Sequence, residues 1–150
     1  MHQSTISKSL YESDFLLWTQ DTIAKLKARD FEHVDLENLL EEIEALGRSE
    51  KKELASRLEV LLAHLLKRIY LDMSQDFNGW ERTIREQRRR LAQALRKMPS
   101  LKTFWDELFN DAWELALDTV RDDYPQYDFP DTWQFDRDLN TLLTVNFWEL

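Results

Sequence analysis

Seven residues of this sequence have side chains that could perform chemistry together if the fold brings them into one place. They are Glu41, Glu42, His64, Lys67, Trp80, Gln87 and Arg88. A histidine and a lysine can exchange protons or bind anions, carboxylates can balance their charge, and an indole can form an apolar wall. Brought together by helices, these residues would line a polar pocket for a small ligand or substrate. The alternative, which we favour, is a network of ion pairs and hydrogen bonds that sets the helix register.

The usual signatures of catalysis and metal binding are missing from the sequence. It contains no cysteine and three scattered histidines, and Leu61 stands where a Glu-x-x-His pair would need its glutamate before His64. A di-iron site and a zinc site are therefore not expected. A glycine-rich phosphate loop, a nucleophile elbow and a His-Glu-x-x-His string are also lacking. We expect no cofactor and no metal, and the sequence leaves enzymatic activity undecided.

The composition favours a single helical domain. A chain of 150 residues with 43% hydrophobic content is large enough to bury a core, so we predict one domain over 1–150. Glycine and proline are scarce, whereas strong helix formers dominate, which favours an all-α fold. No run approaches the ~18 apolar residues of a membrane span. The start, MHQSTISKSLYE, lacks the apolar core of a signal peptide, so we expect a cytoplasmic protein with no membrane partner.

Apolar periodicity and capping residues predict the helices that would position these side chains. Four helices are expected, at roughly 14–29, 35–71, 79–98 and 101–123. Ser13 or Asp14 can cap the first helix and Asp35 the second. Gly47 is expected either to kink or to split the long second segment. Asn78-Gly79 is a turn signal before the third helix.

The C-terminal tail from Tyr124 is rich in aromatic residues. It holds seven of the chain's 18 aromatic side chains and two of its three prolines. A short helix at about 131–143 is predicted within it. The predicted fold is therefore an all-α four-helix bundle with a long, Gly47-kinked second helix and an aromatic C-terminal strap.

The segment Gly79–Met98 concentrates positive charge in an acidic chain. It carries seven basic residues against two acidic ones, whereas the other 130 residues carry 13 basic and 27 acidic side chains. At 100° per residue, one row opposite the apolar stripe contains Arg82, Arg85, Arg89 and Arg96. One hypothesis is a solvated face stabilised by the pairs Glu81–Arg85, Arg82–Glu86 and Glu86–Arg90. The other is an interaction face for an acidic partner or a second copy of the chain.

Nucleic acid is disfavoured as the partner of this row. The sequence pI is near 4.8, so the summed field of the chain repels phosphate. The row also lacks surface aromatic residues and a recognisable reading motif.

Four sequence blocks carry a resemblance to a known family. The blocks are Tyr11-Glu12-x-Asp14-Phe15-x-x-Trp18, Asp35-Leu36-x-x-Leu39-x-Glu41-Glu42-Ile43, Leu61-Leu62-x-His64-Leu65-Leu66-Lys67 and Trp80-x-x-Thr83-Ile84-x-x-Gln87-Arg88. Their combination resembles the bacterial, cyanobacteria-rich Domain of Unknown Function 29 family, from about Tyr11 to Trp148. The resemblance implies an all-helical bundle of about this length and no established activity. The family's recurring positions correspond here to Glu41, Glu42, His64, Lys67, Trp80, Thr83 and Arg88.

The sequence leaves the biochemical function unknown and supports two hypotheses. The first is a non-enzymatic helical protein-interaction or regulatory module, whose partner is another protein or a second copy of the chain. The second is a small-ligand-binding protein or enzyme with a polar pocket formed by Glu42, His64, Lys67 and Arg88. An open pocket with these groups in hydrogen-bond reach favours the second hypothesis, whereas sealed and mutually satisfied side chains favour the first.

Overall fold

The computed structural model describes residues 10–150, and this range is all-α. Residues 1–9, on which the signal-peptide prediction partly rests, lie outside the described residues. The α-helices are α1 (Phe15–Lys27), α2 (Leu36–Tyr70), α3 (Phe77–Lys97), α4 (Trp105–Asp123) and α5 (Leu139–Thr144). Short 3-10 turns occupy Phe31–His33, Ser74–Asp76, Pro99–Phe104 and Phe147–Glu149. Residues 10–150 contain no strand, and four of these helices are long, so the predicted all-α class is confirmed.

The chain divides into two compact units, Met1–Ser49 and Glu50–Leu150. Helix α2 belongs to both, since it runs without a break from Leu36 to Tyr70. Gly47 lies inside α2, so the alternative in which this glycine splits the segment into two helices is wrong. The single domain over 1–150 stays a prediction.

Local capping sets the ends of α1 in the first unit. Asp14 is the N-cap of the helix, because its side chain accepts a hydrogen bond of 3.1 Å from the backbone N–H of Leu17. The helix ends at Lys27, and Arg29, the residue after the C-cap Ala28, adopts a left-handed φ of 58°. Arg29 N–H donates to the Leu26 carbonyl and Asp30 N–H to the Lys25 carbonyl, at 3.1 and 2.9 Å. This is the Schellman pattern, with an arginine where glycine is the usual residue.

A buried carboxylate holds α1 against the start of α2. Asp35 is only 1% exposed, and its Oδ2 accepts the Trp18 indole N–H at 3.2 Å and the Asn38 side-chain amide at 2.7 Å. Its Oδ1 accepts the backbone N–H of Asn38 at 3.4 Å, so Asp35 also caps α2 as predicted. A buried charge needs such partners, because desolvation would otherwise destabilise the fold.

The core of the second unit is built on one broad leucine face. The fully buried side chains of α2 here include Leu54, Leu58, Leu61, Leu62, Leu65 and Leu66. They recur at three- and four-residue intervals, so they occupy a wide arc of the helix. The other helices contribute buried side chains that include Ile84 and Leu91 from α3 and Phe109, Ala112, Ala116 and Val120 from α4.

The aromatic tail packs on α4, as predicted for a C-terminal strap. Trp133 is central, with ring centroids 6.2 Å from Phe109 and 5.9 Å from Trp113. Within the tail, Phe135 and Phe147 lie 5.2 and 5.1 Å from Trp133. Edge-to-face contacts of this kind add to the free energy that burial supplies.

Two predicted boundaries are wrong. Helix α3 begins at Phe77, so Asn78-Gly79 lies in its first turn and is not a separate turn. The short helix predicted at about 131–143 is confined to Leu139–Thr144, and Asp138 caps it by accepting the Asn140 N–H. At Asn78-Gly79 the helix overrides turn-forming residue types, whereas residues 131–138 of the tail stay non-helical.

Candidate polar site on helices α2 and α3

His64 and Lys67 lie on one edge of α2, three residues apart. The Nδ1 atom of His64 is 2.8 Å from the carbonyl oxygen of Val60, so Nδ1 carries the proton and donates it. The other ring nitrogen, Nε2, then presents a lone pair, and Lys67 Nζ lies 3.5 Å from it. Both side chains are half-buried. In this arrangement the Nε2 atom of neutral His64 accepts a hydrogen bond from the Lys67 ammonium.

Helix α3 adds an aromatic ring to this pair. Trp80 is buried, and its ring centroid is 5.6 Å from Lys67 Nζ. An ammonium at this distance from an indole is attracted by the negative face of the ring. His64, Lys67 and Trp80 therefore form one cluster, which we call the lysine cluster.

Burial lowers the pKa of both titratable members of the lysine cluster. Desolvation is the main cause for the His64 imidazole; the bond to Val60 opposes it, and the nearby charge of Lys67 lowers the pKa further. Desolvation also lowers the pKa of the Lys67 ammonium, while Asp123 and Asp76 raise it. His64 is consequently neutral at pH 7.

We expect the pKa of His33 to lie above the ordinary imidazole value of about 6.5 and the pKa of His64 to lie below it. Exposed His33 is 2.7 Å from Asp30 Oδ1, and this carboxylate raises its pKa, whereas burial lowers that of His64. The unfolded chain therefore binds a proton at His64 at a higher pH than the folded chain does. As a result, the free energy of unfolding decreases as the pH falls below about 6.5. Proton NMR of the imidazole signals during a pH titration measures both values.

Lys67→Met is the control for this titration. Removing the ammonium charge should raise the pKa of His64 and leave that of His33 unchanged. A pKa of His64 that equals or exceeds that of His33 would contradict the geometry of the lysine cluster.

Arg88 points to a different part of the second unit. Its Nε donates to the Leu142 carbonyl at 3.0 Å, one Nη donates to the Val145 carbonyl, and the other is 3.5 Å from Asn146 Oδ1. Burial lowers the pKa of its guanidinium. These acceptors include carbonyls at the end of α5, which a cation stabilises. Arg88 thus holds the C-terminal segment, and its place in a ligand site stays a prediction.

The remaining residues of the predicted site have separate surroundings. Gln87 Oε1 is buried and has no hydrogen-bond partner among the described residues. In the first unit, Glu42 accepts the Tyr11 hydroxyl at 2.5 Å, and this bond raises the pKa of Tyr11 to about 12. Glu41 pairs with Arg48 at 3.0 Å. Convergence of the two glutamates with the lysine cluster stays a prediction.

Comparison with known proteins identifies the family of the chain. The family model described as a domain of unknown function, DUF29, matches residues 10–148. The chain belongs to the DUF29 family. No curated protein and no solved structure matches it.

Across residues 10–150, the DUF29 chain has no group of three or more His, Asp or Glu side chains placed to hold a metal ion. In the same range, no helix is both long and apolar enough to cross a bilayer.

The predicted arginine row is exposed in this DUF29 chain. Arg82, Arg85, Arg89 and Arg96 all lie on the surface of α3. Of the three ion pairs predicted to stabilise that face, only Glu86–Arg90 forms, at 3.2 Å. Glu81 pairs with Arg68 of α2 instead, at 3.2 Å.

Arg68 is a residue that the sequence reasoning did not single out. Besides its bond to Glu81, its guanidinium lies 3.7 Å from the Phe77 ring centroid and 5.2 Å from that of Trp148. It thereby joins α2, α3 and the C-terminal tail of the DUF29 fold. Its position one residue after Lys67, near aromatic residues distant in sequence, offered no local signal for this role.

Proposed function

We propose that this DUF29 chain is a non-enzymatic protein-interaction module that binds an acidic protein surface through the arginine row, and that it acts in the cytoplasm. One observation carries the proposal. Among residues 10–150, no ion pair involves any member of the row, although the chain as a whole has 29 acidic side chains against 20 basic ones.

The spacing of the row makes its unpaired charges unfavourable for the isolated helix. Arg82 and Arg85 are three residues apart, and Arg85 and Arg89 are four apart, so neighbouring guanidinium groups repel each other. Such like-charge pairs destabilise a helix by a few tenths of a kcal/mol each. An acidic surface would relieve the repulsion and accept several guanidinium hydrogen bonds at once. It would also accelerate association by electrostatic attraction.

The test compares three purified forms of the full chain for recovery of partners from the native cells. Arg85→Gln/Arg89→Gln removes two charges of the row, and Lys52→Gln/Lys102→Gln removes two other exposed charges as a matched control. We expect an acidic protein to be recovered by the wild type and the control but not by the row variant. Binding of the two purified proteins should then be about 2- to 30-fold weaker for the row variant.

Two results would overturn this proposal. One is equal binding by the row variant and the lysine control, because the row would then be only a solvated face. The other is recovery of DNA or RNA through the row, recognised by loss of binding after nuclease treatment and a steep dependence on salt.

A second candidate function rests on the lysine cluster. A lysine amine, a neutral imidazole and an indole face within reach of one another suit an anionic or carbonyl-bearing small ligand. The NMR signals of His64 and His33 offer a direct test: a ligand from a metabolite mixture should shift the His64 signal and leave that of His33 in place. Unchanged His64 signals throughout such a screen would reject this candidate.

A further inference from the structure

The first unit exposes an unusual amount of apolar surface. Twelve large apolar side chains are exposed among the described residues, and ten of them lie between residues 15 and 46. Monomeric proteins rarely expose contiguous apolar patches larger than a few hundred Å², and larger patches usually mark interfaces.

Four of the five exposed large apolar side chains of α1 form one stripe, and the fifth, Leu17, lies outside it. The members of the stripe are Phe15, Leu16, Ile23 and Leu26, which fall within about 100° of the helix circumference at 100° per residue. Trp18 and Thr22, which are buried, lie beyond Phe15, at about 60° and 20° from it, and so border the stripe on that side. Lys27 lies about 20° beyond Leu16 and borders the stripe.

Helix α2 carries a second stripe before Gly47. Its members are Leu36, Leu40, Ile43 and Leu46, which recur at intervals of four, three and three residues. This spacing keeps them on one face of the helix, as in the seam of a helical bundle. Glu37 and Glu44 lie at about 100° and 80° from Leu36 and border the stripe on one side.

We propose that a second copy of the chain covers these two stripes, with the first units of two copies forming an intermolecular four-helix bundle. The charges of the two helices favour this occupant. Residues 15–29 carry three basic side chains and one acidic one, whereas residues 36–46 carry four glutamates and no basic residue. A contact of α1 in one copy with α2 in the other therefore joins opposite charges, and two-fold symmetry makes it twice.

The order of the helices also fits a two-fold pairing. If the connections between α1 and α2 lie at the same end in both copies, α1 of one copy runs antiparallel to α2 of the other. Lys27, near the end of α1, then comes beside Glu37, near the start of α2, in the other copy. The eight stripe residues of each copy form the apolar centre, with charged side chains at its rim, as in stable interfaces.

Sedimentation velocity of the full chain over a range of concentrations tests this inference. We expect a reversible dimer for the wild type and an association about 100-fold or more weaker for Leu40→Glu/Ile43→Glu. Leu115→Glu is the matched control, because Leu115 of α4 is 53% exposed, close to the 50% of Leu40 and 55% of Ile43. It should dimerise like the wild type, and circular dichroism should show unchanged helix content in all three.

A charge reversal keeps the inference testable if the double glutamate variant does not fold. Lys27→Glu should weaken the dimer, and adding Glu37→Lys should restore it. A monomeric wild type at every concentration would overturn the proposal, as would a dimer that the stripe variants leave intact. Arg85→Gln/Arg89→Gln should dimerise normally, so failure here is distinct from failure of the arginine-row proposal.

Discussion

Replacing Arg88 with alanine is expected to lower the free energy of unfolding by about 2–4 kcal/mol. The guanidinium donates to the Leu142 and Val145 carbonyls and reaches Asn146, and its loss leaves these acceptors of the C-terminal segment without their donor. Chemical denaturation followed by tryptophan fluorescence measures the change. The variant should also be cleaved faster by protease after residue 138, because the segment opens more often.

Arg89→Ala is the control for Arg88, because it removes the same charge one residue further along α3. Arg89 is exposed and has no ion pair among the described residues, so the change should stay within about 0.5 kcal/mol. Equal effects of the two substitutions would show that charge, and not the bonds to the C-terminal segment, determines the result.

Replacing Phe109 with alanine is expected to lower the free energy of unfolding by about 3–5 kcal/mol. Phe109 is 1% exposed, and its ring lies 6.2 Å from the rings of both Trp105 and Trp133. The Arg137 guanidinium lies 4.3 Å from its ring centroid. Truncation therefore leaves a cavity between α4 and the C-terminal tail and removes a cation–π contact.

Leu115→Ala serves as the comparison on the same helix. Leu115 is 53% exposed, so its truncation should cost less than about 1 kcal/mol. A loss of stability as large as that of Phe109→Ala would mean that Leu115 is covered in solution.

The candidate site divides into a part that local sequence could predict and a part that it could not. His64 and Lys67 are three residues apart on one helix, so helical geometry alone places them together. Trp80 joins them from α3, which requires knowledge of how two helices pack. The acceptors of Arg88 lie 54 to 58 residues later in the chain, and no periodicity specifies that pairing.

The arginine row illustrates the same division within a single helix. Its exposure follows from the 3.6-residue period, because the opposite face holds the apolar residues Ile84, Leu91 and Leu95. The ion pairs do not follow from that period. Glu81 has Arg85 one turn away, yet it binds Arg68 of α2, where burial strengthens the interaction and an aromatic ring already orients the guanidinium.

By itself, the sequence determined the all-α class, the approximate helices, the exposed arginine row and the aromatic tail. Each of these follows from interactions between residues close in the chain, or from the periodic separation of apolar and polar side chains. Only the tertiary structure decided that Arg88 holds the C-terminal segment, that Glu81 pairs with Arg68 and that the first unit leaves two apolar stripes exposed. Those outcomes depend on which helices become neighbours, and many pairings of amphipathic helices satisfy the same local pattern.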